Sequence, residues 1–416
     1  MSWTCLFAKE IAEKKQKNIE RYKGVERLTE ADIKKYIGQR EDIIKKLKAK
    51  GVRTMHRGNS LFYGALSPGC SICKTGKSSC VYVTNKCTRN CFYCAKPALT
   101  PADEVTIERE IKMESPEALV RFLKKWKIRA AGISGGEPLS TLDKTLKYIT
   151  AIRKGMGRNF YIWLYSNGDL ATVKNLKRLK KSGLNEMMFN LSARAYDLAP
   201  LRKAVGIIDV VCVETPAIPE DEEKIKSLLP ELKKLGVRHV NLHELMLHPF
   251  NLENMKKRQY RVLVGSSKRD FLSAFMPVYG SELSALRIMD FAIENDIGIP
   301  INFCSCYYKH NVQGSMLHRN AAEILRRHHE RVTESGLLEK LVIDEPRERA
   351  EQLVKTLKGR GVSPQKIYFS KELNRFELHP SLLKRIDVKK FRIITVLALP
   401  CRIHSDTHDM YTKKLA

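Results

Sequence analysis

The chain has 416 residues, of which 43% are hydrophobic, and 75 lysines and arginines against 46 aspartates and glutamates give it a net charge of +29. This composition is too apolar for an extended disordered protein. The longest apolar run, Ile393 to Pro400, is far shorter than the roughly 18–20 residues of a membrane span. The amino terminus lacks the charged-then-apolar pattern of a secretion signal. We therefore expect a basic, cytoplasmic protein with one large domain, or a core domain and an appendage.

The first 60 residues are rich in lysine and helical in pattern. Apolar residues spaced along one helical face predict a helix over residues 29–50, with Gly51 as its stop. Residues 58–79 are rich in glycine, serine and cysteine. This composition predicts a loop that is held by something other than a packed core.

From Cys80 onward, short apolar runs alternate with longer stretches of helical period. This alternation favours a parallel sheet with helices outside it. Six or seven such units in about 220 residues favour a full or partial (β/α) barrel, with an open doubly wound sheet as the alternative. The predicted strands cover residues 80–84, 130–134, 161–165, 186–190, 210–214, 239–242 and 299–303, and the predicted helices cover residues 115–127, 142–156, 172–181, 197–205, 221–235 and 281–294.

After residue 310 the alternation weakens. A basic helix is predicted over residues 320–335 and another over residues 346–358, followed by a mixed tail. We divide the chain into a basic helical extension (1–60), a cysteine-rich segment (61–80), a core barrel (81–310) and a carboxyl-terminal appendage (311–416).

Cysteines carry the strongest chemical signal. Six of the eleven lie between residues 70 and 94, and in a chain without an export signal such a cluster indicates metal ligation before disulfides. Cys87, Cys91 and Cys94 follow the first predicted strand with the spacing C-x3-C-x2-C. Three thiolates on one tight loop can bind three irons of a [4Fe–4S] cluster and leave the fourth iron open.

A structural zinc ribbon is the competing interpretation of the same cysteines. The pairs Cys70-x2-Cys73 and Cys91-x2-Cys94 are separated by 17 residues, which is within the range of zinc ribbons. By spacing alone, zinc and iron are equally good. Zinc leaves Cys80 and Cys87 unexplained, and it ignores the next motif.

That motif is Gly135-Gly136-Glu137-Pro138, at the carboxyl end of the second predicted strand. Paired glycines allow the backbone to approach a ligand closely, and the glutamate offers an acceptor. Alone, this motif is most simply a turn. One strand after a three-cysteine loop it becomes specific, because barrel active sites lie at the carboxyl ends of the strands.

With CTRNCFYC at 87–94 and GGEP at 135–138, the sequence resembles the radical S-adenosylmethionine (SAM) superfamily over roughly residues 80–310. The resemblance implies a partial (β/α)6 barrel. It also implies that SAM chelates the open iron and is cleaved by one electron to methionine and a 5′-deoxyadenosyl radical, which abstracts a substrate hydrogen. A reductant such as ferredoxin or flavodoxin would supply the electron.

The resemblance further implies SAM contacts at four places. A surface loop is the alternative for the last of them, the pair after the fourth strand. The implied contacts are Gly135, Gly136 and Glu137 to the methionyl amine, Ser166 and Asn167 to the ribose, Tyr93 near the adenine, and Ser192 and Arg194 to the carboxylate or ribose.

Cys70, Cys73 and Cys80 lie within eleven residues directly before the motif, and we expect them to bind a second, auxiliary iron–sulfur cluster. Zinc or free thiols are the alternatives. Cys304 and Cys306, in INFCSC, would lie on one face of the last predicted strand, and either could be a fourth ligand. No cobalamin domain is recognisable before the motif, since residues 1–60 are too short for one, and cobalamin bound elsewhere stays open.

The charge excess suits a polyanionic partner. RNA is favoured as the substrate, although no RNA-binding motif is recognisable. A protein-modifying or glycyl-radical-activating enzyme is the first alternative. A zinc-ribbon nucleic-acid-binding protein without redox chemistry is the second.

Overall fold

The computed structural model describes residues 20, 22–94, 104–107, 111–263, 275–401 and 406–415. The chain divides into two compact units, one running to Gln313 and the other from Gly314 onward. No helix within these described ranges is both long and apolar enough to cross a bilayer.

The first unit is built on a sheet with seven adjacent parallel strands, which run in chain order across the sheet. All seven coincide with the strands predicted from the sequence. They are β1 (Ser78–Tyr82), β2 (Ala130–Ser134), β3 (Tyr161–Ser166), β4 (Glu186–Phe189), β5 (Val210–Ala217), β6 (His239–Glu244) and β7 (Ile301–Cys304).

Six crossover helices connect these strands, so the unit contains six strand–helix pairs and a seventh strand. This confirms an α/β fold of the partial-barrel type. Among the described residues, no pairing between β1 and β7 closes the sheet. The crossover helices are Pro116–Lys125, Leu142–Met156, Val173–Ser182, Ala199–Ala204, Glu222–Leu235 and Ser281–Glu294.

Local sequence explains where these helices begin and end. Ser115 accepts a hydrogen bond from the Ala118 N–H at the start of the first crossover helix, where Pro116 is tolerated. Gly183 and Gly236 end two others in the left-handed conformation (φ +100° and +93°), as their positions predict.

The prediction of a loop over residues 58–79 is wrong. Ser60–Tyr63 is a strand that pairs antiparallel with β7, and Pro68–Cys73 is a helix capped by Ser67. The strand forms because Leu61 and Phe62 are buried, a pattern too short to stand out among the surrounding small residues. Arg53–Met55 extends this edge, and Thr106–Ile107 and Ile111–Lys112 extend the other.

The amino-terminal helix, Glu30–Ala49, is confirmed and begins with a capping box formed by Thr29 and Asp32. Arg40 makes a buried ion pair of 2.8 Å with Glu282 in the last crossover helix. The basic extension is therefore anchored to the barrel over its described part.

The described part of the second unit contains an antiparallel sheet and two α-helices. Its first helix is Gln313–Leu325, so the prediction of a helix over 320–335 is wrong beyond Leu325, where His329 and Glu330 become buried instead. The apolar run near residue 393 is a strand rather than a span. The remaining elements are the helix Arg347–Gly359 and the strands Arg331–Val332, Leu338–Ile343, Ile367–Ser370, Arg375–Leu378, Ile393–Cys401 and Asp406–Leu415.

Candidate functional site

The carboxyl ends of β1 to β4 carry the four polar segments singled out in the sequence. Because neighbouring parallel strands end at the same edge of a sheet, these segments meet at one rim. They are residues 87–94 after β1, 135–137 after β2, 166–169 at the end of β3, and 190–194 after β4.

Cys87, Cys91 and Cys94 lie on one loop, the first two half-buried and the third exposed. The Cys94 N–H donates to the Cys91 carbonyl oxygen at 3.0 Å. Burial raises the pKa of the Cys91 thiol, and the nearby Cys94 and Cys87 thiols raise it further, so the three sulfur atoms are close enough to affect one another. A bound cluster deprotonates its thiol ligands, and this set fits three irons of a [4Fe–4S] cluster.

The two glycines of the GGEP loop are needed because this loop packs directly on the backbone that leads into the cysteine loop. The Gly136 N–H donates to the Thr84 carbonyl oxygen at 2.8 Å, and the Glu137 N–H donates to that of Lys86 at 2.7 Å. A β-carbon on Gly135 would lie 2.2 Å from the Thr84 oxygen, and Gly135 has a φ of +138°. The glycines therefore set the position of the cysteine loop.

Glu137, predicted to contact the methionyl amine of SAM, also makes several contacts within the protein. Its side chain is fully buried, and its carboxylate accepts hydrogen bonds from the Ser166 hydroxyl (3.0 and 3.1 Å), the Asn167 N–H (2.7 Å) and the Leu139 N–H (3.0 Å). Burial raises the pKa of this carboxyl to about 7, against the opposing effect of these hydrogen bonds. Glu137 therefore connects the loop after β2 to the end of β3.

Asp169, two residues after Asn167, links the rim segments and was not singled out in the sequence. It pairs with Arg89 at 2.7 Å and also with Arg194, and it accepts from the Thr88 hydroxyl at 2.7 Å. The hydrogen bond from Arg89 is the main cause that lowers the pKa of Asp169 to about 2. The signal in the sequence that could have identified Asp169 is its place as the acidic residue directly after LYSNG.

Tyr93 and Ser192, predicted separately, are brought together. The Tyr93 hydroxyl lies 2.7 Å from the Ser192 Oγ and 3.2 Å from the Asn190 Oδ1, and burial raises its pKa. Thr215, on β5, lies 3.2 Å from the same Ser192 Oγ. Arg194 instead pairs with acidic side chains, so its position favours a role in holding the rim together.

The other cysteines predicted as ligands lie on different elements of the first unit. Cys70 and Cys73 lie on the helix Pro68–Cys73, which covers the amino-terminal end of the barrel, where the Gly69 N–H donates to Glu186 at 3.1 Å. Burial, and next the neighbouring Cys304 thiol, raise the pKa of Cys73 to about 11.

Cys304 and Cys306 do not share a strand face, which corrects the prediction. The strand β7 ends at Cys304, and Cys306 is fully buried, with its N–H donating to Glu244 at 2.7 Å. Glu244 therefore contacts the backbone beyond β7. Cys80, the other predicted ligand, lies on β1 and is half-buried near Tyr165.

A mononuclear zinc site does not fit the cysteines. Tetrahedral zinc with thiolate ligands holds its sulfur atoms about 3.8 Å apart. Within the described part of the chain, the one set of three His, Cys, Asp or Glu ligand atoms that all lie within 4.8 Å of one another belongs to His329, Glu330 and Glu377. Lys340 already pairs with Glu377 there at 3.1 Å, so that group is a buried ion-pair network.

Between the two ends of the barrel, three polar side chains contact one another. The Glu214 carboxylate on β5 lies 2.9 Å from the Nδ1 of His243 on β6, and Lys309 lies 3.0 Å from the same atom. Burial lowers the pKa of His243, and Lys309 lowers it further, so the imidazole is neutral at pH 7. His243 and Glu214 keep 18% and 17% of their side-chain surface accessible, so this pair is not fully buried.

The fold and the rim define a partial (β/α) barrel with three cysteines and a glycine-rich loop at the carboxyl ends of its strands. Comparison with known proteins supplies the family. Residues 81–258 match the model of the Radical SAM superfamily. With this domain the chain is a radical SAM enzyme, which uses a [4Fe–4S] cluster and SAM.

A curated relative from Methanocaldococcus jannaschii, named "Putative glycyl-radical enzyme activating enzyme", is 27% identical over 286 residues, or 66% of this chain and 73% of that protein.

Among solved structures, Streptococcus suis SuiB bound to the precursor peptide SuiA is similar at 10% identity over 65% of this chain and 54% of SuiB, with a TM-score of 0.38. Coproporphyrinogen III oxidase (HemN) from Escherichia coli is similar at 12% identity over 57% of this chain and 58% of its own, with a TM-score of 0.33. The matched part thus spans little more than half of either structure. The family assignment comes from the sequence match.

Proposed function

We propose that this enzyme removes a hydrogen atom from a polypeptide substrate, as an activating or modifying enzyme of another protein. The similarity to the M. jannaschii protein carries the proposal. That similarity extends over 286 residues, whereas the superfamily match covers only residues 81–258, so it includes chain outside the shared domain.

Different rim residues would hold the cluster and SAM. Cys87, Cys91 and Cys94 would bind the cluster, and the backbone of Gly135 and Gly136 would receive the methionyl amine. Ser166, Asn167, Tyr93 and Ser192 would contact the nucleoside. Once both are bound, the cluster and SAM supply a one-electron cleavage of SAM that leads to hydrogen abstraction.

The protein's own contribution is to keep these groups in fixed positions. Asp169 holds Thr88 and Arg89 of the cysteine loop against the segment after β3, with contacts of 2.7 Å. Glu137 holds that segment against the loop after β2. A low-potential reductant such as ferredoxin or flavodoxin is the expected electron donor.

The basic residues support an RNA substrate less than the net charge alone suggests, because many of them pair with acidic side chains. Lys46 and Lys50 each lie within 3 Å of both Asp290 and Glu294. Other basic runs are also partly neutralised, by the pairs Arg178–Asp143, Lys180–Asp209, Lys256–Glu253 and Arg202–Glu231. The comparisons likewise give no support to an RNA substrate. RNA is therefore the alternative that the following experiment tests.

The test identifies the class of molecule that loses the hydrogen. Cells that lack this chain are grown in deuterated medium, and their protein and RNA fractions are separated. Each fraction is incubated anaerobically with the reduced enzyme and unlabelled SAM, and the deuterium content of the 5′-deoxyadenosine is measured by mass spectrometry. We expect deuterium from the protein fraction, and its loss after protease treatment.

A Cys91→Ala variant is the control, since it should form no 5′-deoxyadenosine with either fraction. Deuterium that comes only from RNA would overturn the proposal and restore the RNA hypothesis. Mass spectrometry of proteins from cells with and without the chain then locates the modified residue.

A further inference from the structure

We propose that Cys304 completes, with Cys70 and Cys73, a second iron–sulfur site inside the barrel, separate from the cysteine loop at the rim. The sequence alone predicts Cys70, Cys73 and Cys80 as ligands, with either Cys304 or Cys306 as a fourth. The structure favours Cys304 over Cys306, so the set spans more than 230 residues. The inference depends on the arrangement of these side chains and not on the proposed substrate.

The side-chain amide of Asn302 lies close to two of the three thiols, those of Cys70 and Cys304. The Nδ2 atom of Asn302, on β7, lies 3.9 Å from the Cys70 Sγ and 3.6 Å from the Cys304 Sγ. Cys70 and Cys73 are three residues apart on one helix, so their side chains emerge on the same face. The Gln313 Nε2 donates to the Cys73 Sγ at 3.0 Å. Asn302 and Gln313 thus place N–H donors beside these sulfur atoms, while the Cys70 thiol itself donates to the Asn241 Oδ1 at 3.4 Å. Hydrogen bonds to sulfur are a feature of iron–sulfur sites.

The buried ammonium group of Lys74 is a separate indication that this region needs negative charge. Its residue is 5% exposed, and its ammonium contacts the Ser60 hydroxyl, the Cys304 Sγ at 3.5 Å and the Tyr308 ring at 4.7 Å. None of the ion pairs within 4.0 Å formed by the described residues includes Lys74. A buried ammonium with no described counter-ion within 4.0 Å is costly, and an anionic thiolate-bound cluster next to Cys304 would compensate it.

Several polar groups around the thiols also lack partners. The Asn241 Nδ2, the Asn302 Oδ1 and the Tyr308 hydroxyl are buried without a hydrogen bond, and their residues are 2%, 4% and 2% exposed. Native interiors leave few such groups unpaired, so each calls for a ligand or ordered water. Cys70, Cys73 and Cys304 are each half-buried, so the protein does not cover these thiols completely.

The chemical class of that group follows from the thiols. Three cysteine sulfurs favour iron–sulfur clusters or zinc. Their spacing is wider than a single zinc allows, because the three atoms are not all within 4.8 Å of one another. A multinuclear iron–sulfur cluster, whose ligands bind different irons, suits this wider spacing.

The experiment uses the full chain, purified anaerobically and reconstituted with iron and sulfide, in a background where Cys87, Cys91 and Cys94 are all replaced by alanine. Iron, sulfide and zinc are counted, and the dithionite-reduced protein is examined by electron paramagnetic resonance. We expect the background variant to keep about half of the wild-type iron. Adding Cys304→Ala should remove it. Adding Cys306→Ala, the matched control two residues away, should not.

A background variant that folds, as shown by circular dichroism, but binds no iron overturns the proposal. So does iron that survives Cys304→Ala and is lost with Cys80→Ala. In the otherwise wild-type chain, Lys74→Gln should shift the midpoint potential of one of the two clusters to a more negative value, because it removes a neighbouring positive charge. Lys77→Gln, on the exposed side of the same segment, should leave both potentials unchanged.

Discussion

Gly136 lies so close to Lys86 that a β-carbon on the glycine would be 2.2 Å from the Lys86 carbonyl oxygen. Lys86 directly precedes Cys87, so the GGEP loop and the cysteine loop form one packed unit at the rim. The motif therefore acts partly by positioning the cluster ligands, in addition to any contact with SAM.

We expect Gly136→Ala to push the cysteine loop away from its position. Displacing a catalytic group by about 1 Å can reduce a rate roughly 100-fold. Formation of 5′-deoxyadenosine by the reduced enzyme measures the effect. Gly38→Ala is the control, since a β-carbon there has nothing within 4 Å. Equal rates in wild type and Gly136→Ala would contradict the packed arrangement.

We expect Asp169→Asn to weaken the connection between the cysteine loop and the segment after β3. The neutral amide leaves Arg89 and Arg194 without their shared counter-ion, at a cost of about 1–2 kcal/mol. The Kd for SAM, measured by calorimetry, should rise several-fold. Asp143→Asn, which removes a partner of Arg178 from an 80% exposed position, should change neither SAM affinity nor stability.

Tyr93→Phe tests whether the tyrosine hydroxyl orders the SAM-contacting segment. The variant loses the contact of 2.7 Å with Ser192 and the hydrogen bond of 3.2 Å to Asn190. We expect the KM for SAM to rise about fivefold, as for the loss of about 1 kcal/mol, with iron content unchanged. A loss of iron would show instead that Tyr93 supports the cysteine loop.

The second unit should lose stability in acid through Glu377. Burial alone would raise the pKa of this carboxyl, but the hydrogen bonds from His329 and Arg375 and the charge of Lys340 outweigh it and lower the pKa to about 2. Since the folded-state pKa is below the ordinary 4.5, the stabilisation is complete above pH 4.5 and is lost as the pH falls through 2.

Glu377→Gln should remove this contribution at every pH and destabilise the unit by roughly 3–5 kcal/mol at pH 7, because it removes the buried carboxylate that Lys340 and His329 share. Urea unfolding followed by hydrogen exchange in the strand Leu338–Ile343 gives the measurement. Glu351→Gln breaks a pair whose two side chains are each 51% exposed and serves as the control. Similar stability of the two variants at pH 7 would contradict the assignment.

The sequence was sufficient for the parallel strands and for the rim. Each strand is a short apolar run between amphipathic helices, and the seven predicted runs are the seven observed strands because both faces of a parallel strand are buried. The cysteine loop and GGEP follow consecutive strands, so their meeting at one edge is a consequence of topology alone. The short strand Ser60–Tyr63 was missed because four residues carry too little pattern.

By itself, then, the sequence determined the order of strands and helices, the cysteine loop and the superfamily. Only the tertiary structure decided that Glu137 holds the rim together, that Asp169 joins three of its segments, and that Cys304 rather than Cys306 lies beside Cys70. These contacts join residues that are distant in the chain, and they depend on how the strands pack side by side. Local propensity does not encode that packing.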